Sequence, residues 1–568
     1  MQFAFQRCIF ATHKIKMPKY SKKISAQICS ELFKKFDIQH IIISPGSRNA
    51  AFTIQFTQDN FFKTYSIIDE RSAAFVALGM AKQLQKPVVI CCTSGSAAAN
   101  YYPAITEAFY QNIPLIILTA DRPETYIDNF DGQTIRQKNL FELHSVGNYQ
   151  LSEYETDEAI TENFLTVKKA ISISLEKQAP VHINVPFSEP LYEQTDEKLF
   201  TIDEIKLPTI KYEIPNFITL AEKWNSSSKK IILCGVLTKS DALLNILQKI
   251  NEDNSVVIFT ETTSNLYDSN FFSEIDKLIY SFSEKDFKIL QPDLLLTIGQ
   301  NVVSKKIKDF LRQAKPKYHF HLDEFWQPDT YFCLTDSIKY PKIEFLEEFS
   351  TYIQTSESKY FDSWKHLKIQ KDEHYKKYVQ NISFSDLKIF DILSSQIPEN
   401  TAIHFSNSSP IRYSQLFDFN SKYEIYCNRG VSGIDGCTST AIGSAMISEK
   451  PTLLITGDIG FFYDSNALWN KYIPDKFKII LLNNGGGDIF KIIPGPDSTD
   501  ALDEFFVTKH KRNAKLMAEM YCFNYFYADN LSDFNQNLDS FFLSTSNSIF
   551  EINTSECENA EILRKFFV

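Results

Sequence analysis

Two short stretches near the carboxyl end of the chain combine glycine with side chains that bind metal ions. Gly457-Asp458 follows an apolar run, and Asn483-Asn484-Gly485-Gly486-Gly487 follows a second one, with 28 residues from Gly457 to Asn484. An aspartate, an asparagine amide oxygen and a backbone carbonyl, completed by phosphate oxygens and water, suit octahedral Mg²⁺. The glycines open the backbone to a ligand. The two stretches together therefore predict a magnesium-diphosphate site held by Asp458, Asn484 and Gly486.

Each stretch taken alone has a simpler interpretation, because Gly-Asp and Asn-Asn are common in turns at strand ends. Residue counts favour a ligand site. The chain has 17 glycines in 568 residues, about 3% where about 7% is usual, and ten of them lie between Gly430 and Gly495. Gly443, Gly460 and Gly495 remain candidates for turns or close packing.

Arginine is also scarce, with ten residues against 49 lysines. Since lysine already supplies surface charge, each arginine is expected where its planar, bidentate fork is needed, as in carboxylate recognition. For Arg136, an ordinary surface charge is the alternative interpretation.

The overall composition excludes several classes of protein. The formal net charge is −11, which argues against general nucleic-acid binding. Apolar runs are shorter than the ~18 residues of a membrane span. The ten cysteines form no CxxC pair, which favours a reduced, cytoplasmic protein.

The elements that position these residues alternate between strand and helix from Ser21 onward. Such alternation predicts α/β architecture with parallel sheets, whose functional loops lie at the carboxyl ends of the strands. A helix is expected from about Ser465, after Asp458. Predicted strands are His40–Ile43, Tyr65–Ile68, Val88–Cys92, Leu115–Thr119, Pro180–Val185, Lys230–Cys234, Ser255–Phe259, Leu294–Ile298, Tyr318–Leu322, Ala402–Phe405, Tyr423–Tyr426, Thr452–Ile455 and Lys478–Leu482.

Three doubly wound domains follow from this pattern, over residues 17–195, 205–355 and 380–568. Residues 1–16 precede Met17 and are interpreted as an extension without function, although their lysine-rich, acid-free composition also fits a targeting segment.

The Gly-Asp and Asn-Asn-Gly spacing resembles the diphosphate-Mg²⁺ motif of thiamine-diphosphate enzymes, except that Ile459 stands where a third-position glycine is usual. This resemblance implies a pyrimidine-binding, a middle and a diphosphate-binding domain. It also implies a glutamate that hydrogen-bonds a pyrimidine nitrogen of the cofactor and activates it. Glu70 stands where that catalytic residue is expected; a surface glutamate in a helix-starting turn is the alternative.

Further motifs resemble the 2-succinyl-5-enolpyruvyl-6-hydroxy-3-cyclohexene-1-carboxylate synthase family of menaquinone biosynthesis, over residues 21 to 568. They are dense in the first and third domains and sparse in the middle one. The motifs are Ser44-Pro-Gly-Ser-Arg48, Asp69-Glu-Arg-Ser72, Thr93-Ser-Gly-Ser96, Asn100-Tyr-Tyr-Pro103, Thr119-Ala-Asp-Arg-Pro123, Asn184-Val-Pro-Phe-Ser-Glu-Pro-Leu191, Asn428-Arg-Gly430, Gly433-Ile-Asp-Gly436 and Asn483-Asn-Gly-Gly-Gly-Asp-Ile-Phe490.

That family decarboxylates 2-oxoglutarate and adds the remaining four-carbon unit to isochorismate by conjugate addition. The two substrates carry four carboxylates, which would explain the arginines. The resemblance implies that substrate is bound by Arg48, Arg122, Gln133, Lys305, Lys306, Ser408, Arg412, Arg429, Ile489 and Phe490. Lysine at position 306 replaces an arginine that is frequent in the family.

The resemblance also implies the cofactor contacts and the assembly. Thiamine diphosphate would be held by Glu70, Ser432, Gly433, Ile434, Gly457, Asp458, Asn484, Gly487 and Ile489, with Mg²⁺ or Mn²⁺ on Asp458, Asn484 and Gly486. Ile434 would be the apolar wedge that bends the cofactor, and Ile493 would extend the apolar wall. Active sites between two chains imply a homodimer or homotetramer, and no nucleic-acid or membrane partner is expected.

Three alternatives remain at the level of sequence. The first is another thiamine-diphosphate 2-oxoacid decarboxylase or carboligase, such as acetolactate synthase, which would not need so many arginines. The second is an inactive binding or regulatory subunit, which the joint presence of Glu70, Asp458 and Asn484 opposes. The third is a dinucleotide oxidoreductase, which is opposed because no GxGxxG sequence follows a strand.

Overall fold

A computed structural model describes residues 19–208, 210–419, 422–493 and 495–567. Three fully parallel sheets, each flanked by helices, follow one another along the chain. The α/β prediction is therefore confirmed. The extension at 1–16 and Pro494 lie outside the described residues.

The first sheet has the strand order β3-β2-β4-β5-β7-β6, and a small antiparallel pair, β1 with β8, lies beside it. Its central strands are buried along their whole length, as expected for a sheet covered on both faces. The strands are β1 Tyr20–Ser21, β2 His40–Ile43, β3 Lys63–Ser66, β4 Val88–Cys92, β5 Leu115–Asp121, β6 Asn148–Gln150, β7 Val181–Pro186 and β8 Gln194–Thr195; the helices are α1 Ile24–Lys35, α2 Ala50–Thr57, α3 Glu70–Leu84, α4 Ser96–Asn100, α5 Tyr102–Gln111 and α6 Asp157–Lys177.

The middle sheet has the order β10-β9-β11-β12-β13. The long helix α13, Tyr360–Asn381, then leads to the third sheet. The strands of the middle sheet are β9 Lys230–Cys234, β10 Val256–Phe259, β11 Leu294–Ile298, β12 Tyr318–Leu322 and β13 Asp336–Ile338; its helices are α7 Phe217–Asn225, α8 Asp241–Ile250, α9 Ile275–Ile279, α10 Glu284–Leu290, α11 Lys305–Ala314 and α12 Lys342–Ser350.

The third sheet has the order β15-β14-β16-β17-β19-β18, and here β16 and β17 are hydrogen-bonded neighbours. Its strands are β14 Ala402–Phe405, β15 Glu424–Tyr426, β16 Thr452–Gly457, β17 Lys478–Asn483, β18 Asn524–Ala528 and β19 Ser548–Asn553; its helices are α14 Asp386–Gln396, α15 Ser409–Ser414, α16 Cys437–Ala445, α17 Asp458–Tyr463, α18 Ile489–Ile492, α19 Lys515–Met520, α20 Leu531–Leu543 and α21 Asn559–Phe566.

Two predictions of local structure were wrong near the site. The strand predicted over Tyr65–Ile68 is Lys63–Ser66, and helix α3 already begins at Glu70, where Asp69 caps it by accepting the N–H of Ser72 at 3.1 Å. Helix α17 begins at Asp458, and Ser465–Leu468 is a 3₁₀ turn. The chain breaks between them because buried Asp464 turns to accept hydrogen bonds from Ser439.

Close packing of α3 on α16 joins the first unit to the third. A Cβ on Gly79 would lie 2.0 Å from the Thr440 carbonyl oxygen, and one on Gly443 would lie 2.0 Å from that of Val76. Any larger residue would force these helices apart. Gly443 is therefore a packing glycine, and the contact fixes the helix that begins with Glu70 against the third unit.

Candidate active site

The centre of the candidate metal site lies where β16 and β17 end side by side. Asp458 is buried, and its Oδ2 accepts the backbone N–H of Gly486 at 2.9 Å. Its Oδ1 accepts the N–H of Ile459 at 2.7 Å. The two strand ends are thus tied together at the position that the Gly-Asp and Asn-Asn-Gly stretches predicted.

Asn484 presents one free oxygen in this region. Its Nδ2 donates to Asp386 at 3.0 Å, whereas its Oδ1 is buried without a hydrogen-bond partner in the structure. Beside it, nothing lies within 4 Å of the place where a Cβ on Gly457 would be. The loop after Asn484 is held by a 2.7 Å hydrogen bond from Gly487 N–H to the Val507 carbonyl.

The loop between β15 and α16 carries three more of the predicted cofactor contacts, Ser432, Gly433 and Ile434. Asn407 Nδ2 donates to the Gly433 carbonyl at 2.7 Å, and Ile434 lies against Gly460 of α17. Ser432 has a φ of 62°, in the left-handed region that non-glycine residues rarely adopt. Strained backbone of this kind is concentrated at binding sites.

A cavity of about 240 Å³ gathers part of the predicted substrate set. Lys305, Lys306 and Arg412 line it together with Ile489 and Ile493. The Lys306 ammonium lies 4.3 Å from the centroid of the Tyr280 ring. Cations therefore face an apolar wall, which is a suitable environment for a carboxylate on a hydrocarbon skeleton.

Arg429 and Ser408 lie beside Arg412. The guanidinium of Arg412 donates to the Ser408 carbonyl at 2.7 Å, and that of Arg429 donates to Asn407 at 2.9 Å. Partial desolvation first and the positive charge of Arg429 second lower the pKa of Arg412. Ser408 has a φ of 74°, another left-handed residue at a predicted contact. The repulsion between the guanidinium groups of Arg412 and Arg429 favours an anionic ligand between them.

A separate basic group lies at the carboxyl edge of the first sheet. Arg48 is buried and donates to the Phe187 carbonyl at 2.8 Å; burial first and the charge of Arg122 second lower its pKa. Arg122 lies 3.6 Å from Asp131. Gln133, with a φ of 56°, packs its backbone against Gly95.

Glu70 occupies the first turn of α3 at the same edge. Burial raises the pKa of its carboxyl, and Asn100 donates a hydrogen bond to it. Arg71 beside it donates to the Tyr463 carbonyl at 2.8 Å, which anchors this turn on α17 of the third unit.

Comparison with known proteins places this geometry in a family. Residues 25–143 match the profile described as "Thiamine pyrophosphate enzyme, N-terminal TPP binding domain". The chain is 45% identical over 555 residues to the 2-succinyl-5-enolpyruvyl-6-hydroxy-3-cyclohexene-1-carboxylate synthase of Flavobacterium johnsoniae, covering 96% of this chain and 99% of that one. The chain belongs to this synthase family.

Other relatives carry the same name. The synthase of Flavobacterium psychrophilum is 47% identical over 89% of this chain and 91% of its own length. That of Porphyromonas gingivalis is 35% identical over 96% of this chain and 97% of its own length. As a member of this synthase family, the chain is a thiamine-diphosphate enzyme of menaquinone biosynthesis.

The third unit fits the cofactor that the family requires. The unpartnered Oδ1 of Asn484 and the open space beside Gly457 are what a metal-bound diphosphate would occupy. Groups of three or more His, Cys, Asp or Glu side chains able to hold a metal do not occur within the described residues. An ion here would depend on the single carboxylate of Asp458 together with amide, backbone and phosphate oxygens, which is the donor set expected from the sequence.

The predicted site residues form two groups in one chain. Glu70, Arg48 and Arg122 belong to the first group, and Asp458 and Arg412 belong to the second. Among the described residues, no hydrogen bond or ion pair joins Glu70, Arg48 or Arg122 to the loops that carry Asp458 and Arg412. Phe490, which lies with the Asp458 and Arg412 group, packs at a tilted angle against Phe506, with ring centroids 5.6 Å apart. Arg136 is an exposed partner of Asp128 and stands apart from both groups.

Several residues of the site escaped sequence reasoning. His510 Nε2 lies 3.3 Å from Asp458 Oδ2, and Asp386 holds Asn484. Tyr280, Arg564 and Phe567 line the cavity with Arg412. None of these lies in a recognisable motif; Asn100, by contrast, stands in Asn100-Tyr-Tyr-Pro103.

Proposed function

We propose that this chain decarboxylates 2-oxoglutarate and joins the remaining four-carbon unit to isochorismate, forming 2-succinyl-5-enolpyruvyl-6-hydroxy-3-cyclohexene-1-carboxylate. The observation that carries the proposal is the set of cations around the cavity of Lys305, Lys306 and Arg412, next to the metal-diphosphate region. Two dicarboxylates require such a set, whereas pyruvate would not.

Asp458, the Oδ1 of Asn484 and the carbonyl of Gly486 would hold Mg²⁺ or Mn²⁺. Ser432, Gly433, Ile434, Gly457, Gly487 and Ile489 would surround thiamine diphosphate. When bound, that cofactor supplies the electron sink for decarboxylation.

Glu70 would face the aminopyrimidine ring. Burial raises the pKa of its carboxyl, and a carboxyl in its neutral form can donate a proton to a ring nitrogen. Asn100 orients the carboxyl by its hydrogen bond.

The substrate carboxylates would be clamped from two sides. Arg412, Arg429, Ser408, Lys305 and Lys306 form one side, and Arg48, Arg122 and Gln133 form the other. The apolar side chains of Ile489 and Phe490 would cover the hydrocarbon skeleton and exclude water.

We place the two sides on different chains of a homodimer or homotetramer. Among the described residues, no hydrogen bond or ion pair joins Arg48, Arg122 or Gln133 to the residues of the other side, and this supports the assignment. Large apolar side chains are exposed near both groups: Ile68 beside Glu70, Phe130 beside Gln133, and Phe505 beside Phe490. A second copy would cover them.

The described residues contain no helix long and apolar enough to cross a membrane. We propose a cytoplasmic enzyme whose partners are small molecules and its own second copy. The nine described cysteines are free thiols, which is compatible with that compartment.

The test is to incubate the purified chain with thiamine diphosphate, Mg²⁺, 2-oxoglutarate and isochorismate and to follow isochorismate loss. Glu70→Gln should abolish the loss, and exposed Glu162→Gln should leave it unchanged. No loss with the wild-type chain would refute the proposal. Turnover of pyruvate without isochorismate would instead identify another thiamine-diphosphate carboligase.

A further inference from the structure

The side chain that holds Asn484 is Asp386, the first residue of α14, which is 1% exposed. Its Oδ2 accepts the Nδ2 hydrogen of Asn484 at 3.0 Å. We propose that Asp386 is a positioning residue for the metal site: it fixes the Asn484 amide so that Oδ1 points at the metal ion. This inference rests on the metal site of the proposed function.

The chemistry of the two groups determines the orientation. An ionised carboxylate can only accept hydrogen bonds, and the NH₂ of an amide can only donate them. Asn484 must therefore turn its nitrogen to Asp386 and its oxygen to the opposite side. That oxygen is buried without a partner in the structure, an arrangement that is destabilising unless a ligand satisfies it.

Asp386 is itself held by two other segments. Thr554, just after β19, donates its hydroxyl to Oδ1 at 2.6 Å, and the Asp386 N–H donates to Asn559 Oδ1 at 2.9 Å. Thr554 N–H also donates to the Asn483 carbonyl at 2.9 Å. The carboxylate is thus braced against the end of β17, where Asn484 begins its turn.

Packing alone does not explain a carboxylate here. Asp386 is almost fully buried, and keeping a charge in this interior costs free energy unless hydrogen bonds compensate it. An asparagine or a small apolar residue would avoid that cost. A carboxylate is favoured where the orientation of one neighbouring amide has to be unique.

The experiment measures Mn²⁺ binding in the presence of thiamine diphosphate by electron paramagnetic resonance, without substrate. Asp386→Asn preserves the shape but permits both amide orientations, so the Kd for Mn²⁺ should rise about 10–100-fold. Asp391→Asn is the matched control, because Asp391 lies on the same helix and pairs with Lys388 at 3.4 Å near the surface. The Kd of this variant for Mn²⁺ should be unchanged.

A reciprocal exchange separates positioning from folding. Asn484→Asp alone opposes two carboxylates across 3.0 Å and should also weaken Mn²⁺ binding. Combining it with Asp386→Asn restores one amide and one carboxylate, so the double variant should bind Mn²⁺ more tightly than either single variant. A merely structural role for Asp386 would give no such rescue.

Two results would overturn the inference: unchanged Mn²⁺ affinity in Asp386→Asn, or a double variant no better than the single ones. Absence of Mn²⁺ binding by the wild-type chain would overturn both this inference and the proposed metal site. Normal Mn²⁺ behaviour without isochorismate consumption would refute the proposed reaction and leave the role of Asp386 intact.

Discussion

Glu107 of α5 accepts the backbone N–H of Gly430 at 2.6 Å and that of Val431 at 2.7 Å. This buried carboxylate belongs to the first unit, and the loop it holds belongs to the third. The loop carries Arg429 and Ser432–Ile434. A residue that is not itself a predicted site residue therefore sets the position of one substrate-binding and three cofactor-binding candidates.

Replacing Glu107 by Gln should weaken substrate binding more than it slows turnover. One carboxylate oxygen becomes an NH₂ group facing a backbone N–H, and losing a hydrogen bond to a charged group costs about 1.5–3 kcal/mol. We expect the KM for isochorismate to rise roughly tenfold or more, with a smaller change in kcat. Steady-state kinetics measure this, with exposed Glu176→Gln as the control; an unchanged KM would contradict the role.

Tyr280 should support the lysine that replaces the family's frequent arginine. Its ring lies under Lys306 and stacks on Phe567, with centroids 4.2 Å apart and planes inclined by 15°. A cation–π contact contributes about 0.5–2 kcal/mol. Tyr280→Leu should therefore raise the KM of one dicarboxylate about 2- to 30-fold.

A double-mutant cycle with Lys306→Met isolates that contact. If the ring acts through the ammonium, Tyr280→Leu should have little further effect once Lys306 is Met. Additive effects of the two changes would show that Tyr280 acts in another way. Exposed Tyr352→Leu in the middle unit serves as the control.

Replacing Ser408 by glycine should make the folded protein more stable. Its φ of 74° and ψ of −128° cost about 1–3 kcal/mol for a side chain and little for glycine. Ser408→Gly should raise the melting temperature while lowering activity, because the hydroxyl proposed to contact substrate is lost. The control is Asn400→Gly: Asn400 is an exposed residue with a φ of 60°, and its replacement should change activity little. A Ser408→Gly chain that is less stable than the wild type would contradict the strain.

Glu261 should make stability depend on pH. Its carboxylate accepts the N–H groups of Val303 and Ser304 at 2.7 Å each, and burial raises its pKa from 4.5 to about 7. The folded state binds this proton more tightly than the unfolded chain. The contribution of this proton to the free energy of unfolding is therefore complete below pH 4.5. It is lost as the pH rises through 7, by up to about 3 kcal/mol.

Guanidinium unfolding at pH 5 and pH 8 measures this effect. The wild-type midpoint should fall relative to that of Glu261→Gln as the pH rises. Exposed Glu284→Gln is the control, and a constant difference between Glu261→Gln and wild type across this range would contradict the prediction.

The local pattern of the sequence was sufficient for the fold and for expecting Asp458 and Asn484 at neighbouring strand ends. Strands such as Val88–Cys92, Lys230–Cys234 and Leu294–Ile298 were predicted to the residue, because fully buried parallel strands are short, continuous apolar runs. Asp458 and Asn484 were expected side by side because neighbouring parallel strands end at the same edge. The short edge strands β6 and β13 and the terminal pair β18 and β19 were not predicted.

Tertiary structure decided which distant residues support these groups. Asp386 and Asn484 are 98 positions apart, and Glu107 and Gly430 are 323 positions apart. Periodicity and motif spacing report the burial and geometry of one segment, whereas a hydrogen-bond partner depends on which segments pack together. The sequence by itself therefore determined the three parallel sheets, the family and the strand ends that carry the chemistry. Only the packing of α14, α5 and α21 against those ends decided how the amide, the loop and the cavity are held.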